Sequence, residues 1–251
     1  TGYQNSAQGA YALYSNTTGS TNSAQGAYAL RSNTTGSANS AQGAYALRYN
    51  TTGYNNSAQG MQALFSNTTG SNNSAQGVYA LFSNTTGSYN SAQGYNALAS
   101  NTTGSYNSAQ GQQALYFNTV GSQNSAQGYA ALLNLTGSSW NNTALGFSAG
   151  RYYNGATGAL TTTSNSLFLG ASASALANGS TNEIVIGYDA IGNGSNSATL
   201  GNDSITKTIL KGNVGIGTTN PTRKLDVVGN GGFSTNLNVG GTLSLPQGAQ
   251  A

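Results

Sequence analysis

The chain has no cysteine and no histidine, one methionine, one tryptophan, two prolines and only four acidic residues among 251. Without cysteine there are no disulfides and no thiolate metal sites, and the redox compartment goes unmarked. Charged residues make up 4% of the chain. Arg31, Arg48, Arg151, Lys207, Lys211, Arg223 and Lys224 stand against Glu183, Asp189, Asp203 and Asp226, a net charge of +3. Cations this scattered form no stripe that could track a phosphate backbone, so no nucleic-acid partner is expected despite a pI near 9.1. No apolar run approaches the roughly 20 residues of a membrane helix, so no membrane insertion is expected. No signal peptide is visible. The opening TGYQ matches the tail of a repeat such as TGST, and the expectation is an array entered mid-way, with any targeting segment upstream. Catalysis also lacks its groups. Residues 1–140 contain no Asp, Glu, His, Lys or Cys, which excludes paired carboxylates, hydrolytic triads and metal clusters there. The four carboxylates fall in separate predicted strands or turns, and only pairing between chains would bring two together. No enzyme activity, cofactor or metal is expected.

What the chain has is repetition. Glycine numbers 36, and Asn, Ser, Thr, Ala and Gln supply much of the rest. The block NSAQG begins at Asn5, Asn22, Asn39, Asn56, Asn73, Asn90, Asn107 and Asn124, in steps of 17 residues. A short fixed period means stacked coils. Leu13, Leu30, Leu47, Leu64, Leu81, Leu98, Leu115 and Leu132 form an unvarying apolar column, with alanines beside it from Ala12 to Ala131. Gln8, Gln25, Gln42, Gln59, Gln76, Gln93, Gln110 and Gln127 form another. Glycine and the Asn, Ser and Thr competitors for backbone hydrogen bonds recur too often for helix. SAQGAYAL reads as extended, and SNTTGST as the turn that returns the chain. Eight coils rising about 4.8 Å each would span roughly 40 Å. The expected fold is all-β: a 17-residue-repeat β-solenoid or β-roll fibre.

One leucine and a few alanines per coil are a thin core, so each coil is expected to bury its apolar column against other chains. The Gln column would then point inward to an axis and pair across chains as an amide ladder, with a solvent-facing column as the alternative. Beyond Gly128 the rhythm loosens: NTALG at Asn142–Gly146 is one residue out of step and puts Leu145 in the Gln column, as suits an inward position. From Arg151, SLFLGASASALA, NEIVIGYDAIG, SATLGND, KTILKGNVGIG and KLDVVG read as more apolar strands, with Asn154-Gly155, Asn178-Gly179, Asn193-Gly194 and Asn230-Gly231 as turns. The expected organisation is a repeat array over 1–140, a degenerate β-repeat region over 141–211 and a C-terminal fibre connector over 212–251.

Two patterns invite over-reading. GNVGIGTTNP is glycine-rich but lacks the GK[ST] ending and following helix of a phosphate loop, so a turn is expected. Asn16, Asn33, Asn50, Asn67, Asn84 and Asn101 each open an NTT sequon, with further N-x-S/T triplets at Asn55, Asn72, Asn134, Asn141, Asn178, Asn193 and Asn202. The NTT asparagines are candidate N-glycan sites, or simply turn residues. The position after the Leu column varies in character: Tyr14, Arg31, Arg48, Phe65, Phe82, Ala99, Tyr116 and Leu133. So do the two positions after NSAQG, among them Tyr11, Tyr28, Tyr45, Met61, Tyr79 and Tyr95. Packing between chains is the expected role of these rings, and stacking on sugars or a partner the alternative.

The NSAQG repeats resemble the head motifs of trimeric autotransporter adhesins, and still more the NTALG-type arrays of bacteriophage tail fibres and related bacterial surface proteins. NEIVIGYDAIGNGSNSATLGNDSITKTILKGNVGIGTTNPTRKLDVVGNGGF, residues 182–233, resembles the segment that precedes a C-terminal intramolecular chaperone domain in many phage fibres and spikes. The resemblance implies a homotrimeric fibre, extracellular, on a cell surface or on a virion, whose partners are two further copies of itself and a cell-surface glycan or protein receptor. Gln replaces the usual Ile or Val of the column, and no chaperone domain follows Ala251, which suggests cleavage after folding or a shortened chain. The rival expectations are a self-assembling extracellular filament and a monomeric ice-binding β-solenoid that presents Thr17/Thr18, Thr34/Thr35 and Thr51/Thr52.

Overall fold

The structure, a computed structural model, describes residues 2–228. It divides into two units, Thr1–Ile205 and Thr206–Ala251. Among the described residues there is no helix, and so none long and apolar enough to cross a membrane.

In the first unit each repeat forms one coil of a parallel β-solenoid. The eight SAQ triplets Ser6–Gln8, Ser23–Gln25, Ser40–Gln42, Ser57–Gln59, Ser74–Gln76, Ser91–Gln93, Ser108–Gln110 and Ser125–Gln127 are strands β1–β8. β9 (Thr143–Leu145), β12 (Leu167–Leu169), β13 (Glu183–Ile186) and β14 (Ser197–Leu200) extend them into one 12-stranded sheet. Every pairing is parallel, and the repeats register Ser on Ser, Ala on Ala and Gln on Gln. Between β9 and β12 a small hairpin projects, with β10 (Tyr152–Tyr153) antiparallel to β11 (Gly158–Ala159). Its turn is the expected Asn154-Gly155, both residues at positive φ (48° and 62°).

The strand is shorter than SAQGAYAL. It stops at the glycine, which takes φ between 130° and 137° in the repeats, a region closed to side chains; a Cβ on Gly77 would lie 2.5 Å from the carbonyl oxygen of Gly94. Three further residues of each coil, such as Thr21, Tyr28 and Leu30, are left-handed (57°, 61° and 49°). That conformation costs an L-residue about 1 kcal/mol or more. Bonds to the flanking coils hold it: the Tyr28 N–H donates to the Ala10 carbonyl at 2.8 Å, and the Leu30 N–H to that of Ala46 at 3.0 Å.

The leucine column does not wait for another chain. Leu30 to Leu132 are fully buried inside the coil, stacked beside Ala29 and its equivalents, with the strand alanines Ala24 to Ala126 also buried. Only Leu13, in the first coil, is half-buried. The coil closes its own core because polar residues complete it. Asn22, Asn39, Asn56, Asn73, Asn90, Asn107 and Asn124 are buried, as are Asn33, Asn50, Asn67, Asn84, Asn101 and Asn118. In the first of these ladders the Asn39 Nδ2 donates to Asn22 Oδ1 at 3.2 Å and to the Gly53 carbonyl at 2.8 Å. In the second the Asn50 Nδ2 donates to Asn33 Oδ1 at 2.8 Å and to that same Gly53 carbonyl at 2.9 Å. The glycine of NTTG is therefore the point where both ladders meet, and a Cβ on Gly53 would collide with Asn50 Oδ1 and the Gly70 carbonyl. Amides bonded on both sides escape the penalty of burial and fix the coil's phase.

The glycan candidates Asn33, Asn50, Asn67, Asn84 and Asn101 are fully buried in the folded coil, with their amides committed. Asn16, in the first coil, is partly buried and donates to the Gly19 carbonyl. The second ladder ends at Asn118, whose Oδ1 is buried and unpaired because Leu135 stands one coil on, with no side-chain donor to offer and its backbone N–H given to the Leu132 carbonyl. Beyond it that column turns apolar, with Leu135 and Leu160 fully buried, and Phe168 and Val185 occupy the strand-alanine column, while the first Asn column stays polar.

The second unit, over its described residues, holds a two-stranded parallel sheet of β15 (Val214–Ile216) and β16 (Leu225–Val227). GNVGIGTTNP enters it as strand and turn. Asp226 Oδ2 accepts from the Thr222 N–H at 2.9 Å and hydroxyl at 3.2 Å, closing the loop between the strands. Asn230-Gly231 lies outside the described residues.

Candidate functional site

Because side chains alternate along a strand, burying Ala24 turns Ser23 and Gln25 outward, and this holds in β2 through β8. The Gln residues are thus not part of the chain's own core; the buried strand position belongs to alanine. Each amide donates to the one before it. Gln25 Nε2 bonds Gln8 Oε1 at 3.0 Å, and the ladder continues through Gln42, Gln59, Gln76 and Gln93 to Gln110 at 2.9–3.2 Å. Leu145 then takes the column on β9, followed in register by Leu169, Ile186 and Leu200. Beside it, Ser gives way to Thr143, Leu167, Ile184 and Ala198. Leu145 is 44% exposed, Ile184 39% and Leu200 60%. The outer face of the sheet is therefore polar over β1–β8 and apolar over β9 and β12–β14. Leu145 lies on this outer face and not inside the coil.

The four carboxylates fall in three places. Glu183 is fully buried in the column of the first Asn ladder, where its Oε1 accepts the Gly194 N–H at 2.8 Å and the Leu176 N–H at 3.3 Å; its Oε2 has no partner. Asp189 and Asp203 line one cavity of about 260 Å³ with Thr199, Asn202 and Ser204. Asp226 belongs to the second unit. Among the described residues no three His, Cys, Asp or Glu side chains are grouped as a metal would need.

Aromatic side chains stack up the coils. Tyr11, Tyr28 and Tyr45 follow one another at 5.1 and 5.0 Å between ring centres, and Phe65 and Phe82 at 5.0 Å. The Arg48 guanidinium lies 4.9–5.7 Å from the centres of Tyr28, Tyr45, Tyr49 and Phe65, and that of Arg31 5.8–5.9 Å from Tyr14 and Tyr28. Most of these rings pack within the chain, while Tyr11, Tyr14 and Tyr95 remain about half exposed or more.

A comparison with protein-family models, with curated proteins and with solved structures finds no match.

The sequence pointed to the Leu and Gln columns and missed the two Asn columns as core. The signal was there, since the first Asn of NSAQG and the Asn of NTT recur with the leucines' regularity.

Proposed function

We propose that the chain forms the shaft of a homotrimeric β fibre, outside the cell or on a virion, that attaches to cell surfaces by length and multivalent display. The observation that carries this reading is the outer face of the sheet. Parallel sheets are almost always covered on both faces, whereas this one leaves twelve strands open and ends in a patch of Leu and Ile. Three copies, the number the resemblance to trimeric fibres implies, would cover that patch by meeting face to face about an axis. The Gln ladder suits such an axis. Each amide within it spends one N–H and one oxygen lone pair along its own column, leaving one of each for a neighbouring chain. The role is structural, with no catalytic step.

Because the chain has no cysteine, a single Gln59→Cys substitution gives a clean test. Mild oxidation of this variant yields cross-linked chains if the Gln columns converge, while Thr69→Cys, outside the sheet on an exposed position, yields none. Equal cross-linking of the two, or none at Gln59, contradicts the proposal.

The ice-binding reading is weakened by the Thr pairs themselves. The first hydroxyl of each pair donates to the next coil, as Thr34 Oγ1 does to the Thr51 carbonyl at 2.9 Å. Thr34 and Thr51 are half-buried with that proton committed, while Thr35 and Thr52 are exposed, so the regular face has one free hydroxyl column and not two.

A further inference from the structure

The column that follows the leucines carries Phe65, Phe82, Ala99 and Tyr116 on successive coils. Phe65 and Phe82 are stacked, nearly parallel at 6° and 5.0 Å apart. At Ala99 the ring is missing. Phe82 and Tyr116 are therefore separated by two coil steps, about 10 Å at that spacing. A slab one ring thick, with a van der Waals contact of about 3.5–4.0 Å on each side, fits such a gap.

The gap opens on a shallow surface cleft of about 370 Å³ whose lining includes Phe82, Tyr116 and Ala99, the last only 7% exposed. Tyr79 and Tyr95 form another side, edge to face at 6.2 Å, and Tyr95 is 48% exposed. Its volume is that of a small ligand site.

We infer that this slot binds a neutral pyranose, presented by a glycan, with the sugar's C–H face against the rings. The lining chooses the ligand class. It holds no charged side chain, so an acidic sugar finds no partner there. It does hold Ser83, Asn96 and Ser100, whose side chains make no hydrogen bond among the described residues, together with the phenols of Tyr79, Tyr95 and Tyr116. A protein aromatic inserted into the slot would leave those groups unanswered, whereas a sugar satisfies rings and polar groups at once. This deepens the attachment role proposed above by naming what is held and where.

The test is saturation-transfer NMR with methyl glycosides of glucose, galactose, mannose and N-acetylglucosamine at millimolar concentration. At least one of them is expected to take up saturation, most strongly on the protons of one ring face. Ala99→Phe, which supplies the missing ring, is expected to weaken that binding at least tenfold, and Ala99→Ser to retain it. Tyr95→Ala, at an exposed wall that the fold does not need, is expected to weaken it should Ala99→Phe not fold. No signal from any of the four sugars, or undiminished binding in folded Ala99→Phe and Tyr95→Ala, overturns the inference. The mass of the same samples keeps the two proposals apart. A trimer that ignores sugars loses only the slot, and a monomer that binds them loses only the fibre.

Discussion

Asn67→Ala is the sharpest probe of what closes each coil. Asn67 is fully buried; its Nδ2 donates to Asn50 Oδ1 and to the Gly70 carbonyl, both at 2.8 Å, and its Oδ1 accepts from Asn84 Nδ2 at 2.8 Å. Truncation removes all three bonds, but unequally. Gly70 keeps the Asn56 amide and Asn84 keeps the Gly87 carbonyl. Asn50 Oδ1 is left buried with no donor. One bond lost at about 1 kcal/mol, together with two orphaned buried groups, the Asn50 acceptor and one N–H of Asn84, at about 1–3 kcal/mol each, gives a destabilisation of about 3–7 kcal/mol. Thr69→Ala, two residues on at an exposed position, should stay within about 0.5 kcal/mol. Urea unfolding with an unchanged m-value measures both. Because coils in a solenoid couple mainly to their neighbours, amide exchange should also rise around Leu64 and Leu81 before it rises near Leu115. A loss below about 1 kcal/mol for Asn67→Ala, matching Thr69→Ala, would refute the ladder as the element that completes the core. The chain already carries one such orphan, Asn118 Oδ1, so a single break is expected to weaken the array without unfolding it.

Leu81→Ala, at a fully buried site, should cost about 2–5 kcal/mol in the same unfolding measurement, and a loss below 1 kcal/mol would mean that the leucine column is not the apolar core. When the chain is passed through a eukaryotic secretory pathway, the folded product should carry no glycan at Asn33, Asn50, Asn67, Asn84 or Asn101, which peptide mapping by mass spectrometry would show. Glycans there on folded protein would contradict their burial. Charging the apolar end of the outer face with Leu145→Lys and Leu200→Lys together should reduce the oligomer mass without loosening the coil, read by light scattering and urea unfolding side by side. An unchanged mass would place the contact elsewhere.

The 17-residue coil could be read from the sequence because period is independent of conformation: whatever the backbone does, residues 17 apart must lie side by side. The strand's extent could not be read the same way. SAQGAYAL looks extended by composition, yet the glycine at φ near +135° and the left-handed residues after it bend the chain, and only tertiary bonds make a left-handed leucine tolerable. The size of the core was misjudged because hydrophobicity alone was counted. Asparagine reads as a turn residue wherever it stands, and its burial becomes favourable only when the coil above and the coil below supply its partners. The NTT asparagines are the same case: they read as turn residues or glycan acceptors, and the coil buries them as core. The outward Gln column follows from the strand's alternation once Ala is seen to be the residue that fits beneath the leucines.

The central claim is that the outer face of the sheet is a contact between copies of this chain. Light scattering of the folded protein measures it directly. Three times 25.2 kDa, close to 76 kDa, is the mass expected if three faces meet about the Gln columns. A mass near 25.2 kDa would contradict the fibre, leaving a solenoid that closes its core alone and exposes its Gln, Leu and Ile face to water.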